Sequence, residues 1–276
     1  MKFTNYGQFH DDLKLRGIEY AAEHTITLGF DSVEFLGLSQ AAKDPAATAR
    51  VLASHGLSVS CFSEGINLLD TSRRSLSEMI DHLCRCGDSA AELGSPFLHH
   101  TLILPLTLPP NAPELSEVLP IMTDAAERVA NYCEKLGLVC LYEPQGMYFN
   151  GKGLEIFFDE MKKRCRNIGI CGDVGNSLFV DYSPSLVFDK FAPQVKHVHL
   201  KDYLVEETEL QGMKGHRSRG GKWLYDTELG EGVVDIPYCM SKLKEVGYSG
   251  AYSFELTGDD ETVKKAVEYF KNVCCK

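Results

Sequence analysis

Eight short apolar runs, separated by longer segments with helical periodicity, recur along the 276-residue chain. They cover residues 2–7, 32–37, 57–63, 96–104, 138–144, 168–174, 197–202 and 251–256. Runs this short, rich in Val, Ile, Phe and Leu, read as buried strands. The helical segments often stop at a glycine, as in "EKLG" (134–137) and "KEVG" (244–247), where a helix C-terminus favours a left-handed residue. The first helical candidate covers 11–29. Residues 203–235 read as one long irregular loop. Eight strands alternating with helices over this length predict an α/β fold, a (β/α)8 TIM barrel, as a single domain over 1–276. An open doubly wound sheet usually carries a Gly-rich phosphate turn after its first strand, and this chain has none there.

Charge narrows the function classes. The formal net charge is −11 and no block of basic residues breaks it, which argues against nucleic acid or an anionic membrane as partner. No run approaches the length of a membrane-spanning helix, and "MKFTNYGQFHDDLKLRG" has no apolar signal core, so a soluble, cytoplasmic protein is expected. The ten cysteines are scattered, many inside apolar runs. Cys84-x-Cys86 and the adjacent Cys274 and Cys275 lack zinc-finger spacing, and free thiols in a reducing compartment are expected.

Barrel chemistry sits at the C-terminal ends of the strands. Here the fifth strand ends at Glu143, the sixth at Asp173, the seventh carries His199 and the eighth ends at Glu255. Side chains two apart share a face, so His197, His199 and Lys201 line one side of "KHVHLKDY" and Asp202 the other. If these faces point into the barrel mouth, three carboxylates and an imidazole converge. Buried carboxylates without a counter-charge repel one another strongly, and a divalent cation resolves this. One nitrogen among mostly oxygen donors suits Mn²⁺ first, then Mg²⁺ or Co²⁺, with Zn²⁺ also accommodated.

The set "YEP…CGDVGN…HVHLKD…LGEGVVD…GYSGAYSFEL" resembles the xylose isomerase-like barrel superfamily, in particular its sugar isomerase and epimerase branch. The resemblance runs from "GFDSVEFLG" to the last strand. It implies metal ligands at Glu143, Asp173, His199 and Glu255, with Glu143 and Glu255 as the acid/base pair. It also implies a small sugar or polyol substrate and a homodimer or homotetramer. The expected activity is a metal-dependent isomerase or epimerase on a ketose or related polyol ketone. The alternatives are a metal-dependent lyase (inosose dehydratase-like, or cleaving 3-keto glycosides), an endonuclease IV-like nuclease, or a non-catalytic sugar-binding protein. The chain departs from ketohexose 3-epimerases in two places: Asn176 stands where they place a substrate-binding His, and Val205 where they carry an Arg. Further substrate contacts are expected from Glu34, Glu64, His99, Asn176 and Lys201, and from Arg217, Arg219 and Trp223 of the long loop.

Overall fold

The computed structural model describes residues 1–38, 44–256 and 258–274. Eleven strands lie among these residues. They are β1 (Lys2–Asn5), β2 (Ser32–Leu36), β3 (Ser58–Glu64), β4 (Phe97–His100), β5 (Val139–Tyr142), β6 (Ile168–Asp173), β7 (Val195–Leu200), β8 (Asp202–Glu206), β9 (His216–Arg217), β10 (Trp223–Thr227) and β11 (Ala251–Phe254). Strands β1 to β7 and β11 pair in parallel and close into a barrel in the order β1-β11-β7-β6-β5-β4-β3-β2. The described α-helices are α1 (Gly7–Arg16), α2 (Ile18–Thr27), α3 (Pro45–Ser54), α4 (Leu76–Glu92), α5 (Leu115–Lys135), α6 (Lys152–Arg164), α7 (Pro184–Phe191), α8 (Ile236–Glu245) and α9 (Asp260–Cys274). The chain is therefore the expected α/β barrel of eight parallel strands.

Two expectations change. The helix expected over 11–29 is two helices, because Gly17 between α1 and α2 takes φ +85° and ψ 176°, a conformation essentially confined to glycine. The 203–235 segment is not structureless. It holds the antiparallel sheet β8-β10-β9, with Tyr203 opposite Asp226 and Trp223 opposite Arg217. The alternating apolar residues of "YLVE" and "WLYDT" supply the buried face of that hairpin.

Alternation along each barrel strand divides two environments. Phe35, Phe62, Leu98, Tyr142, Ile170, Val198 and Phe254 point outward into one apolar cluster with the helices, each such burial stabilising by about 1.5–3 kcal/mol. The inward positions are small or polar. Thr4 Oγ1 lies 2.7 Å from Ser32 Oγ and donates to Ser60 Oγ at 2.9 Å, while Cys61, Leu141 and Cys171 fill the layer around the axis. Eight of the ten cysteines, Cys61 and Cys171 among them, are free thiols; Cys275 and the Cys274 side chain lie outside the described residues.

The N- and C-terminal helices are tied together by His24. Its Nδ1 lies 2.7 Å from Asp12 Oδ2 and its Nε2 3.0 Å from Asp260 Oδ1. Burial opposes charging of this imidazole, but the two carboxylates outweigh it and raise its pKa. A raised histidine stabilises the fold fully below the unfolded value of about 6.5 and loses that contribution as pH rises through the folded value. His24→Ala is expected to cost about 1 kcal/mol at pH 5.5 and less at pH 9. Urea unfolding at both values checks this, and a loss that grows with pH contradicts it.

Candidate functional site

Strands β5, β6, β7 and β11 deliver Glu143, Asp173, His199 and Glu255 to one point at the barrel mouth. His199 Nδ1 lies 3.3 Å from Glu143 Oε2, 3.5 Å from Glu255 Oε2 and 3.9 Å from Asp173 Oδ2. Parallel register produces this, because His199 is level with Asp173 on β6 and with Ser253 on β11. Tyr6, just past β1, lays its ring against His199 with centroids 5.4 Å apart.

The hydrogen-bond directions can be worked out residue by residue. Glu34 is fully buried beneath the mouth, where Ser63 Oγ and Ser253 Oγ donate to it, each at 2.5 Å. His197 Nε2 and His199 Nε2 reach the same carboxylate at 2.8 and 3.1 Å. An ionised carboxylate only accepts, so both imidazoles carry hydrogen on Nε2 when Glu34 is charged. That leaves His199 Nδ1 facing the three mouth carboxylates, and it makes no hydrogen bond. Asp173 is arranged likewise. Its Oδ1 accepts from the backbone of Gly175 and Asn176 at 2.8 and 2.6 Å, while its buried Oδ2 faces the Lys201 ammonium, at 3.0 Å. Ser63 spends its hydrogen on Glu34, so it accepts from His99 Nδ1 at 2.9 Å. His99 Nε2 is then an acceptor, 3.5 Å from Glu143 Oε1 and without a partner.

Charge at the mouth follows from these contacts. Lys201 Nζ lies 2.6 Å from Glu255 Oε2 and 3.0 Å from Asp173 Oδ2, and donates to Asn176 Oδ1 at 3.2 Å. Against burial, these carboxylates hold its pKa well above the ordinary lysine value. Burial would raise Glu34, but the His199 and His197 imidazoles bring it well below the usual carboxylate range. Burial likewise opposes ionisation of Glu143, yet His99, His199 and Lys201 lower it to about 2. Glu255 moves the other way. Burial, with Asp173 and Glu143 nearby, raises it despite Lys201 and His199.

A divalent cation fits this donor set. Three carboxylates crowd the mouth around the Lys201 ammonium, and the buried His199 Nδ1 faces them with no hydrogen-bond partner. The carboxylate of Glu34 behind His199 is the arrangement that fixes a ligating imidazole in place. Asp173, His199 and Glu255 already present ligand atoms within 4.8 Å of one another.

The remaining sequence-predicted residues divide. His99, Asn176 and Lys201 stand around Glu143, Asp173, His199 and Glu255. Glu34 lies below them, sealed from the cleft, and supports His199 instead of touching a substrate. Glu64 points the other way, toward α4, because the inward position at the end of β3 belongs to Ser63. Arg217 lies over the Trp223 ring, 5.7 Å from its centroid, and Trp223 stacks on Tyr225, so the β8–β10 sheet absorbs both. Arg219 donates to the Met147 carbonyl and lines a separate cleft with Tyr182. A cleft of about 600 Å³ adjoins the carboxylates, lined by Tyr6, His10, Lys201, Asp226, Thr227 and Glu255, among others. Asp226 and Thr227 reach the cleft because residues 223–227 form β10 and not the expected loop; Tyr6, two residues past the inward Thr4, is legible by alternation.

Asp202 faces away from the mouth, as the alternation predicts. It accepts backbone N–H groups from Tyr203, Gly230, Gly232 and Val234 at 2.8–3.1 Å. This explains "LGEG": a Cβ on Gly232 would collide with the Asp202 carboxylate.

A model of the xylose isomerase-like TIM barrel family matches residues 22–273. No curated protein matches the chain in sequence. Among solved structures, a D-allulose 3-epimerase from Methylomonas sp. is similar at 19% identity and TM-score 0.77, covering 99% of this chain and 98% of that one. A 3-keto-D-glucoside 4-epimerase from E. coli is similar at 16% and 0.76, covering 99% of each chain. A xylose isomerase-like TIM barrel protein from Mycobacterium smegmatis in complex with magnesium is similar at 17% and 0.71, covering 99% and 96%. At these identities the likeness is one of fold.

Proposed function

Because the chain belongs to the xylose isomerase-like TIM barrel family, we propose that it is a divalent-metal-dependent isomerase or epimerase of a ketose or related polyol ketone. The observation that carries this reading is the convergence of Glu143, Asp173 and Glu255 on the unpartnered Nδ1 of His199. Those four residues would hold the ion, Mn²⁺ by preference for a set of oxygens with one nitrogen. When bound, it supplies the positive charge that makes a proton beside a carbonyl acidic.

The chain's own residues do the rest. Glu143, whose carboxyl the nearby Lys201 and His199 hold ionised, takes the α-proton. Glu255, whose carboxyl is raised, returns one from its own side of the site. Lys201 restrains Glu255 and Asp173, and Asn176 holds Lys201 in turn. His99 Nε2 accepts a hydrogen bond from a substrate hydroxyl. Return of the proton to the same carbon inverts it, and return to the neighbouring carbon isomerises the sugar. Similar structures that act on D-allulose and a 3-keto-D-glucoside support a small polyhydroxy substrate.

The test is proton NMR in D₂O on metal-loaded protein with a panel of ketoses, inososes and 3-keto glycosides. One solvent deuteron incorporated with the carbon skeleton retained is the expected result, and loss of water or an aglycone assigns a lyase instead. Prolonged chelation is expected to abolish turnover and Mn²⁺ or Co²⁺ to restore it. Turnover by protein shown to be metal-free removes the reading.

A further inference from the structure

Outside the barrel mouth, a second group of ligand-type side chains meets between β3 and α4. His82 and Cys86 are one helical turn apart, so they share a face, and it is the face that buries Met79, Leu83 and Cys86. Glu64 ends β3 and points at them. One carboxylate oxygen, Oε2, lies 3.1 Å from His82 Nε2 and 3.4 Å from Cys86 Sγ. All three ligand atoms lie within 4.8 Å of one another.

The two contacts of Glu64 Oε2, 3.1 and 3.4 Å, lie close to the ligand separations of a tetrahedral zinc, and small side-chain shifts would complete the geometry. Zinc bonds of about 2.0–2.2 Å to nitrogen or oxygen and about 2.3 Å to sulfur place neighbouring ligand atoms about 3.3–3.6 Å apart. We infer that Glu64, His82 and Cys86 form a zinc-binding site on the outer wall of the barrel, separate from the mouth. A thiolate, an imidazole and a carboxylate select Zn²⁺ or Co²⁺ over Mg²⁺ or Ca²⁺, and the two anionic ligands neutralise the ion. Access exists. Glu64 and His82 line a cleft of about 230 Å³ with Asn67, Asp70, Arg73 and Arg74, from which water or a small anion would complete the fourth position. Zinc-finger spacing rules miss the site because its ligands come from an i, i+4 helix pair and a distant strand end; Cys84, two residues from Cys86, is not among the three.

Cysteine ligates zinc as the thiolate, so binding displaces the Cys86 thiol proton. The same ion would clamp β3 to α4 one residue beyond Ser63, which holds Glu34 and His99 at the mouth.

The test is Co²⁺ titration of metal-stripped, fully reduced protein. A thiolate-to-cobalt charge-transfer band that saturates by two added equivalents, the mouth taking the other ion, and is bleached by Zn²⁺, is expected. Cys86→Ser should abolish it and His82→Gln should weaken Co²⁺ binding at this site by about 10-fold or more. Cys84→Ser should leave it unchanged. So should Cys171→Ser, whose thiol lies near Glu143 and His199. Persistence of the band in Asp173→Asn makes the result independent of the mouth. Absence of the band in the unaltered protein, or its survival in Cys86→Ser, overturns the site. His82→Gln keeps the test decisive should Cys86→Ser fail to fold.

Discussion

Glu255→Gln is expected to slow exchange of the proton beside the substrate carbonyl by about 10³-fold. Glutamine keeps the length and one acceptor oxygen but can neither lose nor return a proton. The fold should survive, because Glu255 sits at the mouth with its side chain 35% exposed and its main interactions are with Lys201 and His199. Measuring exchange at saturating Mn²⁺, with bound metal counted separately, divides the lost proton transfer from the lost ligand. Unaltered exchange in a folded, metal-bearing variant would end the acid/base assignment. Glu143→Gln should be comparably damaging, since Glu143 is the carboxylate the site keeps ionised.

Glu34→Ala is expected to destabilise the fold by about 3–5 kcal/mol. It removes the acceptor for Ser63, Ser253, His197 and His199 together, leaving buried donors with nothing to bind. The pH dependence has a definite sign. Glu34 has a folded pKa well below its unfolded value, so its contribution is present above the ordinary carboxylate range and is lost as pH falls through the folded value. The gap between the two proteins in denaturant unfolding should therefore narrow in acid. Glu34→Gln retains the volume and should cost less stability. It should still weaken metal binding by about 10–100-fold, because His199 loses the carboxylate that fixes its tautomer. A Glu34→Ala protein within 1 kcal/mol of the parent would show that the buried network contributes little.

The two substitutions differ in how readily the sequence announces them. Glu255 follows from reading strand ends in a barrel. At Glu34 the sequence offers a carboxylate on a strand and a family position associated with the pocket. Its depth, and the four donors that converge on it from β3, β7 and β11, come from strands distant in the chain. The error at Glu64 is one residue wide. A strand end was recognised, but its parity was not, and a shift of one turns a side chain from the barrel interior to its helical coat. Arg217, Arg219 and Trp223 were misplaced for a related reason. Residues 202–227 pair as a small sheet, so arginines that a loose loop could have swung over the mouth are spent on Trp223 and the Met147 carbonyl.

What the sequence determined by itself is periodicity: eight apolar runs, the segments that join them, and the polar residues at their ends. Those are local properties, written in consecutive residues, and they are enough for the barrel and for the meeting of Glu143, Asp173, His199 and Glu255 at its mouth, because a parallel barrel brings every strand's C-terminal end to the same face. Only the tertiary structure decided depth, parity and pairing: Glu34 beneath His199, Ser63 inward and Glu64 outward, Lys201 between Asp173 and Glu255. Each depends on register between strands far apart in the chain, and register is set by how the whole sheet closes.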